Sequence, residues 1–178
     1  DVDRHTLGLS PTALEEWLSE HALIDDHGDC RTRVGHCRIR ACLPMHTFGH
    51  PVELDALTAV CERWHLILVE DAAESLGSYY KGRHTGNFGR IGVLSFNGNK
   101  IMTTGGGGML LTDEDIGKRA KHLTTTAKIP HPYEFVHDEV GYNYRLPNLN
   151  AALGCAQLEQ LPDFLASKRT LATRYIEF

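Results

Sequence analysis

In this chain of 178 residues the acidic pair Glu70-Asp71 ends an apolar run, and Lys100 follows in a loop of Asn and Gly ahead of four successive glycines, Gly105 to Gly108. The run His65-Leu66-Ile67-Leu68-Val69 has the continuous apolarity of a strand covered on both faces in a parallel sheet, which puts Asp71 at its carboxyl end. Open α/β sheets bind ligands at that end. A second apolar segment, Ile91-Gly92-Val93-Leu94-Ser95, delivers Lys100 through Phe96-Asn97-Gly98-Asn99. So many residues without Cβ suit a backbone that turns sharply or lies close to a ligand. A lysine on a tight loop, a buried carboxylate and hydroxyls beside them match the needs of pyridoxal 5′-phosphate. An amine forms a Schiff base with its aldehyde, and a carboxylate keeps its pyridine nitrogen protonated as an electron sink. The glycines fit neither Gly-x-x-x-x-Gly-Lys-Ser/Thr nor Gly-x-Gly-x-x-Gly, so a nucleotide-cradling loop is not the reading.

The elements that must position these residues are visible in the pattern. Ser10-Pro11 opens a helix, with Ser10 as N-cap, Pro11 at the first helical position and Glu15 and Glu16 in its opening turns. Asp25 to Arg40 is polar and aperiodic, a loop or short hairpin that looks inserted before the strand Ile39 to Met45. Pro44 to Pro51 then lies at that strand's carboxyl end, where His46 and His50 are either turn residues or contacts to substrate or phosphate. Val52 to Trp64 carries Leu54, Leu57, Val60, Cys61 and Trp64 at helical spacing, which makes strand, helix and strand a parallel crossover unit. Tyr79 to Gly86 reads as a turn-bearing loop or hairpin. Met109-Leu110-Leu111 is a strand, Asp113 caps a helix to about His122, and Leu123 to Asp138 is irregular. From Asn148, Leu149, Ala152, Leu153, Ala156, Leu158 and Leu161 form an apolar helical stripe that carries Cys155 with it into the interior. Pro162 should break this helix before it restarts over Phe164 to Tyr175.

Composition narrows the function classes. Hydrophobic residues make up 42% of the chain, enough for one substantial core and too many for disorder. A formal net charge of −5 with scattered Lys and Arg gives no basic stripe for nucleic acid. No run reaches the ~18 apolar residues of a membrane span, so a cytoplasmic protein is expected. Five cysteines at irregular spacing suit a reducing compartment. Cys30, Cys37 and Cys42 lie near His27, His36 and His46, but no Cys-x-x-Cys pair exists, and no metal is expected.

Three separated motifs carry a resemblance: Glu70-Asp71-Ala72-Ala73-Glu74-Ser75-Leu76-Gly77, Ser95-Phe96-Asn97-Gly98-Asn99-Lys100 and Gly141-Tyr142-Asn143-Tyr144-Arg145-Leu146. In order and spacing they resemble the DegT/DnrJ/EryC1/StrS family of sugar aminotransferases, and within it the branch that aminates UDP-linked 4-keto-6-deoxy sugars toward bacillosamine and legionaminic acid. The resemblance implies an α/β fold of the aspartate-aminotransferase type (fold type I), a mostly parallel sheet flanked by helices. Residues 1–178 would be the central portion of the cofactor-binding large domain, without the start of that domain and without the C-terminal small domain, and inactive in isolation. Lys100 would bind the cofactor and move the substrate proton, and Asp71 would pair with the pyridinium nitrogen. Ser95 would donate to the cofactor phosphate, and Asn143 would reach the phosphate in the neighbouring subunit of a homodimer with a shared active site, supported by Arg145. Glu74 stands where the family places Gln or His near the ring, and Asn97 where many members carry His. The implied reaction moves an amino group from glutamate to the C4 ketone of a nucleotide-linked sugar. Lys100 argues against the dehydratase branch, which carries His there. Two alternatives remain open: a pyridoxal phosphate lyase, which should place a reactive Cys near the site, and a non-catalytic dimerisation fragment.

Overall fold

The computed structural model describes all residues from Asp1 to Phe178 and divides them into two compact units, Asp1–Ser95 and Phe96–Phe178. The division falls where an apolar strand gives way to the Asn- and Gly-rich loop that carries Lys100, although composition alone predicts one core.

The first unit begins with helix α1 (Pro11–His21), whose N-cap Ser10 accepts a hydrogen bond from the Ala13 amide at 3.2 Å. Strands β1 (Ala22–Ile24) and β2 (Cys30–Thr32) form an antiparallel hairpin. The polar 25–40 stretch is therefore partly regular, and its loop is stitched to itself. The Asp29 amide and the Arg31 guanidinium on Asp25 hold that carboxyl down at about 2. Strand β3 is confined to Ala41–Cys42, shorter than the 39–45 run suggests. Pro44 and the turn Thr47–Gly49 take the chain out of it. Helix α2 (Leu54–Arg63) starts after Glu53 rather than at Val52, and strand β4 (Ile67–Asp71) includes Asp71 as its last residue. The parallel pairing of β3 with β4 (Ala41 with Ile67, Cys42 with Leu68) bears out the crossover. A small hairpin of β5 (Tyr79–Tyr80) and β6 (Arg83–His84) follows, and β7 (Ile91–Ser95) pairs in parallel with β4, Asp71 lying opposite Val93.

The core of this unit lies on one side of the β3–β4–β7 sheet. Leu54, Leu57, Val60 and Cys61 of α2 meet Leu18 of α1 and Leu66, Leu68 and Cys42 of the strands. The other side is open within the unit: Leu43 and Met45 are exposed and Ile67 is 36% exposed. β4 therefore alternates in burial rather than being covered on both faces as its continuous apolarity suggests. Glu15 clamps the helices together by accepting from Arg63 at 2.6 Å and from Trp64 Nε1 at 3.0 Å. Leu57 has no exposed surface, and Leu57→Ala in the full-length protein is expected to cost about 2–5 kcal/mol in a denaturant titration. A cost below about 1 kcal/mol would show that this core does not hold the unit together.

The second unit contains β8 (Gly108–Thr112), α3 (Glu114–Thr124), α4 (Asn148–Glu159) and α5 (Leu161–Glu177). Asp113 caps α3 by accepting from the Ile116 amide at 2.8 Å, as its position predicts. The break before the last helix falls at Gln160 rather than at Pro162. Proline lacks only an amide that the first turn of a helix leaves unpaired anyway, so Pro162 starts α5 instead of ending α4.

Candidate active site

Asp71 is the half-buried last residue of β4. Its amide donates to Pro44 O at 2.9 Å, and its carbonyl accepts from the His46 amide at 3.0 Å. Its Oδ1 accepts from the Ala73 amide at 3.1 Å, a local turn that fixes the direction of the carboxylate. Glu74 sits one turn on. Its Oε2 accepts the Phe48 amide at 3.0 Å, which ties the 46–50 turn to the segment after Asp71. Phe48 itself has a left-handed backbone (φ 52°, ψ 26°), an uncommon state for a bulky residue, and its ring is exposed. Ser95 ends β7, half-buried.

His46 was open to a ligand role from its position in the sequence. The structure removes that option, because its side chain is completely buried and engaged on both ring nitrogens, with Glu70 Oε2 at 3.1 Å and the Val52 amide at 3.3 Å. His50 is exposed. Burial would push the Glu70 carboxyl up, but hydrogen bonds from His46 and from the amides of Gly89, Gly86 and Phe88 outweigh it and hold the group below its ordinary value.

In the second unit Lys100 is half-buried and its amide closes a tight turn on Asn97 O at 3.1 Å; the Asn97 side chain donates to Asn99 Oδ1 at 3.2 Å. Phe96 O accepts from both the Thr104 amide and Thr103 Oγ1 at 3.0 Å, and the Phe96 amide donates to Gly107 O at 3.0 Å. The base of the Lys100 loop is thereby closed. Gly105 and Gly107 take the left-handed backbone that the glycine run anticipates.

Helix α4 backs this loop, with a different face from the one its leucines suggest. Gln157 Oε1 accepts the Thr103 amide at 2.8 Å, and the Asn150 side chain donates to Thr104 O. Gly154 comes so close that a Cβ there would stand 2.8 Å from Thr104 Cγ2. Leu149, Leu153 and Leu158 are exposed at 87%, 45% and 54%. The apolar stripe is therefore not the buried one. A loop rich in unpaired backbone groups needs polar and small residues against it, and Asn150, Gly154 and Gln157 supply them on one helical face. Cys155, one position round from Gly154, is exposed and not interior as the stripe implied. None of these three supports stands out in the sequence, since only their i, i+4, i+7 spacing marks them.

Asn143 is exposed, and its Oδ1 accepts from Arg145 Nη1 at 2.9 Å while Arg145 Nη2 donates to Thr125 O at 3.1 Å. Arg145 thus orients Asn143 within the chain. Nearby, His122, Asp138 and Glu139 bring one possible metal ligand each within 4.8 Å of one another, a cluster the sequence did not suggest. Arg119 pairs with both oxygens of Glu139 and already neutralises it. Cys30 and Cys42 are buried core residues, whereas Cys37 is exposed. The Cys61 thiol beside it and burial push the Cys42 thiol far up, so it behaves as a small apolar residue.

A strand-end carboxylate, a lysine on a braced turn and a glycine-bent loop are what this chain offers for chemistry. Over residues 1–178 it matches, and belongs to, the DegT/DnrJ/EryC1/StrS aminotransferase family. It is 39% identical over 176 residues to the putative pyridoxal phosphate-dependent aminotransferase EpsN of Bacillus subtilis (strain 168), covering 98% of this chain and 42% of the relative. It is 41% identical over 139 residues to the GDP-perosamine synthase of Escherichia coli O157:H7, covering 78% of this chain and 38% of that one. Among solved structures, the aminotransferase TlmJ from Streptoalloteichus hindustanus superposes with a TM-score of 0.83 at 31% identity, covering 99% of this chain and 44% of that one. The fold is thus fold type I of the pyridoxal phosphate aminotransferases, and the chain spans about two-fifths of the length of these curated relatives. None of its helices is long and apolar enough to cross a membrane.

Proposed function

We propose that residues 1–178 form the central portion of the large domain of a cytoplasmic, homodimeric sugar aminotransferase that uses pyridoxal phosphate. The observation that carries this reading is the family match over the whole chain, together with Lys100 and Asp71 at the motif positions. The donor set suits the cofactor: a half-buried carboxylate with its direction fixed, a lysine on a closed turn and a hydroxyl at the end of β7. When bound, pyridoxal phosphate supplies an electron sink through its protonated ring. Lys100 would hold the cofactor through its Nζ and would serve as the base for the α-proton of the amino donor. Asp71 holds the proton on the ring nitrogen, and Ser95 donates to the phosphate. Glu74 and Asn97 would contact the cofactor, and Asn143, held by Arg145, would reach the phosphate of the neighbouring subunit.

The amino group passes from glutamate to the C4 ketone of a nucleotide-linked 4-keto-6-deoxy sugar. The motif loop around Lys100 favours a UDP sugar, whereas a GDP-perosamine synthase among the relatives supports a GDP sugar, so the test carries both. The full reading frame is incubated with pyridoxal phosphate, reduced with borohydride and mapped by peptide mass spectrometry, then assayed with glutamate and UDP- or GDP-linked 4-keto-6-deoxy sugars. An adduct on Lys100 and amination of one sugar are expected. An intact protein with no adduct, or with one on another lysine, would falsify the reading.

A further inference from the structure

Beside Asp71, the roles above leave a second carboxylate unused. Glu70 has no exposed surface, and its two oxygens face four hydrogen-bond donors. Oε1 accepts from the amides of Phe88 and Gly89, both at 2.6 Å, and Oε2 accepts from the Gly86 amide at 2.7 Å and from His46 Nε2 at 3.1 Å. The protonation of His46 follows from geometry. The Val52 amide can only donate, so Nδ1 accepts it and Nε2 carries the hydrogen given to Glu70. A neutral imidazole and three amides therefore solvate a buried anion, with no cation involved. The 86–89 turn is pressed against the sheet so closely that a Cβ on Gly92 would stand 1.9 Å from Gly86 O.

This arrangement encircles the backbone of Asp71. Pro44 O takes its amide and the His46 amide takes its carbonyl, while the ring of the same His46 is locked to the side chain of the preceding residue. A buried charge gives less stability than an apolar residue of the same shape, but it can fix one arrangement against others. We propose that Glu70 and His46 are positioning residues that set the direction and depth of Asp71. The inference rests on the reading of Asp71 as partner of the cofactor nitrogen. Glutamine cannot replace Glu70 in this role, because its amide NH2 would face two of the four groups, all of which only donate.

The test is a double-mutant cycle in the full-length holoenzyme, reading cofactor attachment at Lys100 by borohydride mapping and the single-turnover rate with glutamate alone. Glu70→Gln is expected to retain the adduct and slow the turnover by ~10-fold or more, in keeping with the sensitivity of catalysis to small misplacements. In an Asp71→Asn background the same change is expected to add less than ~2-fold, because the group it positions is already gone. Glu70→Asp, which keeps every acceptor, should recover part of the rate. Should Glu70→Gln fail to fold, His46→Asn takes its place in the cycle, since its amide oxygen can meet the Val52 amide while the bond to Glu70 is lost. Wild-type rates in the single variant, or equal slowing in both backgrounds, would overturn the inference alone. A wild-type enzyme with no adduct on Lys100 would overturn the functional reading first, and this inference with it.

Discussion

Lys100→Ala in the full-length enzyme is expected to lower the amination rate by ~10⁴-fold or more, while the protein folds and its cofactor, if retained, is not reducible onto the chain. The size follows from the two roles proposed for the side chain, attachment of the cofactor and movement of the proton, being lost at once, and a positioned proton-transfer group alone contributes ~10²–10⁴-fold. Lys100→Arg keeps a positive charge without a usable nucleophile, and should be as impaired as the alanine variant. The check is the absorbance of bound cofactor with and without glutamate, together with product formation from the keto sugar. A Lys100→Ala enzyme within ~10-fold of wild type would exclude this residue from the chemistry, and with it the assignment built on the Asn97-Gly98-Asn99-Lys100 loop. The loop that carries Lys100 is closed by Phe96, Thr103 and Thr104 and braced by Asn150 and Gln157 of α4.

Asp71→Asn is expected to slow the half-reaction with glutamate by ~10- to 10³-fold. An opposite charge at contact distance moves a pKa by ~1–3 units, so an amide in place of the carboxylate lowers the protonated fraction of the ring nitrogen by that range at neutral pH. The substitution is nearly isosteric, and Oδ1 can still accept from the Ala73 amide, so loss of rate without loss of folding is the expected signature. The decisive measurement is the pH dependence of the rate. If Asp71 stabilises the protonated nitrogen, the variant recovers activity as pH falls, because acid restores the proton that the carboxylate no longer holds. A pH profile parallel to that of wild type would place Asp71 outside the electronic role.

Much of the first unit was legible in the sequence because its signals are local. The Ser10 cap, the periodic apolar residues of α2 and the apolar run into Asp71 each report a preference that the tertiary structure follows. The motif residues stand out for a different reason, since their types match a chemistry. The apolar spacing of α4 points to an inward leucine face, whereas the surface it meets is a loop of bare backbone that selects Asn150, Gly154 and Gln157. Glu70 stands in the motif without a role of its own. A signal was available, since it lies two residues beyond Leu68 and so shares the covered face of β4. What period 2 could not reveal is that the donors waiting there come from Gly86, Phe88 and Gly89, which reach Glu70 only through the fold.

The adjacency of Glu70 and Asp71 bears on how this protein can change over evolutionary time. Because successive side chains of a strand point to opposite faces, deleting or inserting one residue between Ile67 and Glu70 would turn the aspartate inward and the glutamate outward. The shorter acid would meet the four donors less closely than Glu70 does, and the longer one would reach past the position that the Asp71 carboxylate takes. Point substitutions elsewhere in the strand can be absorbed by repacking, but a change of length here cannot, so lineages derived from this chain should vary in the loops at either end of the strand while its residue count stays constant.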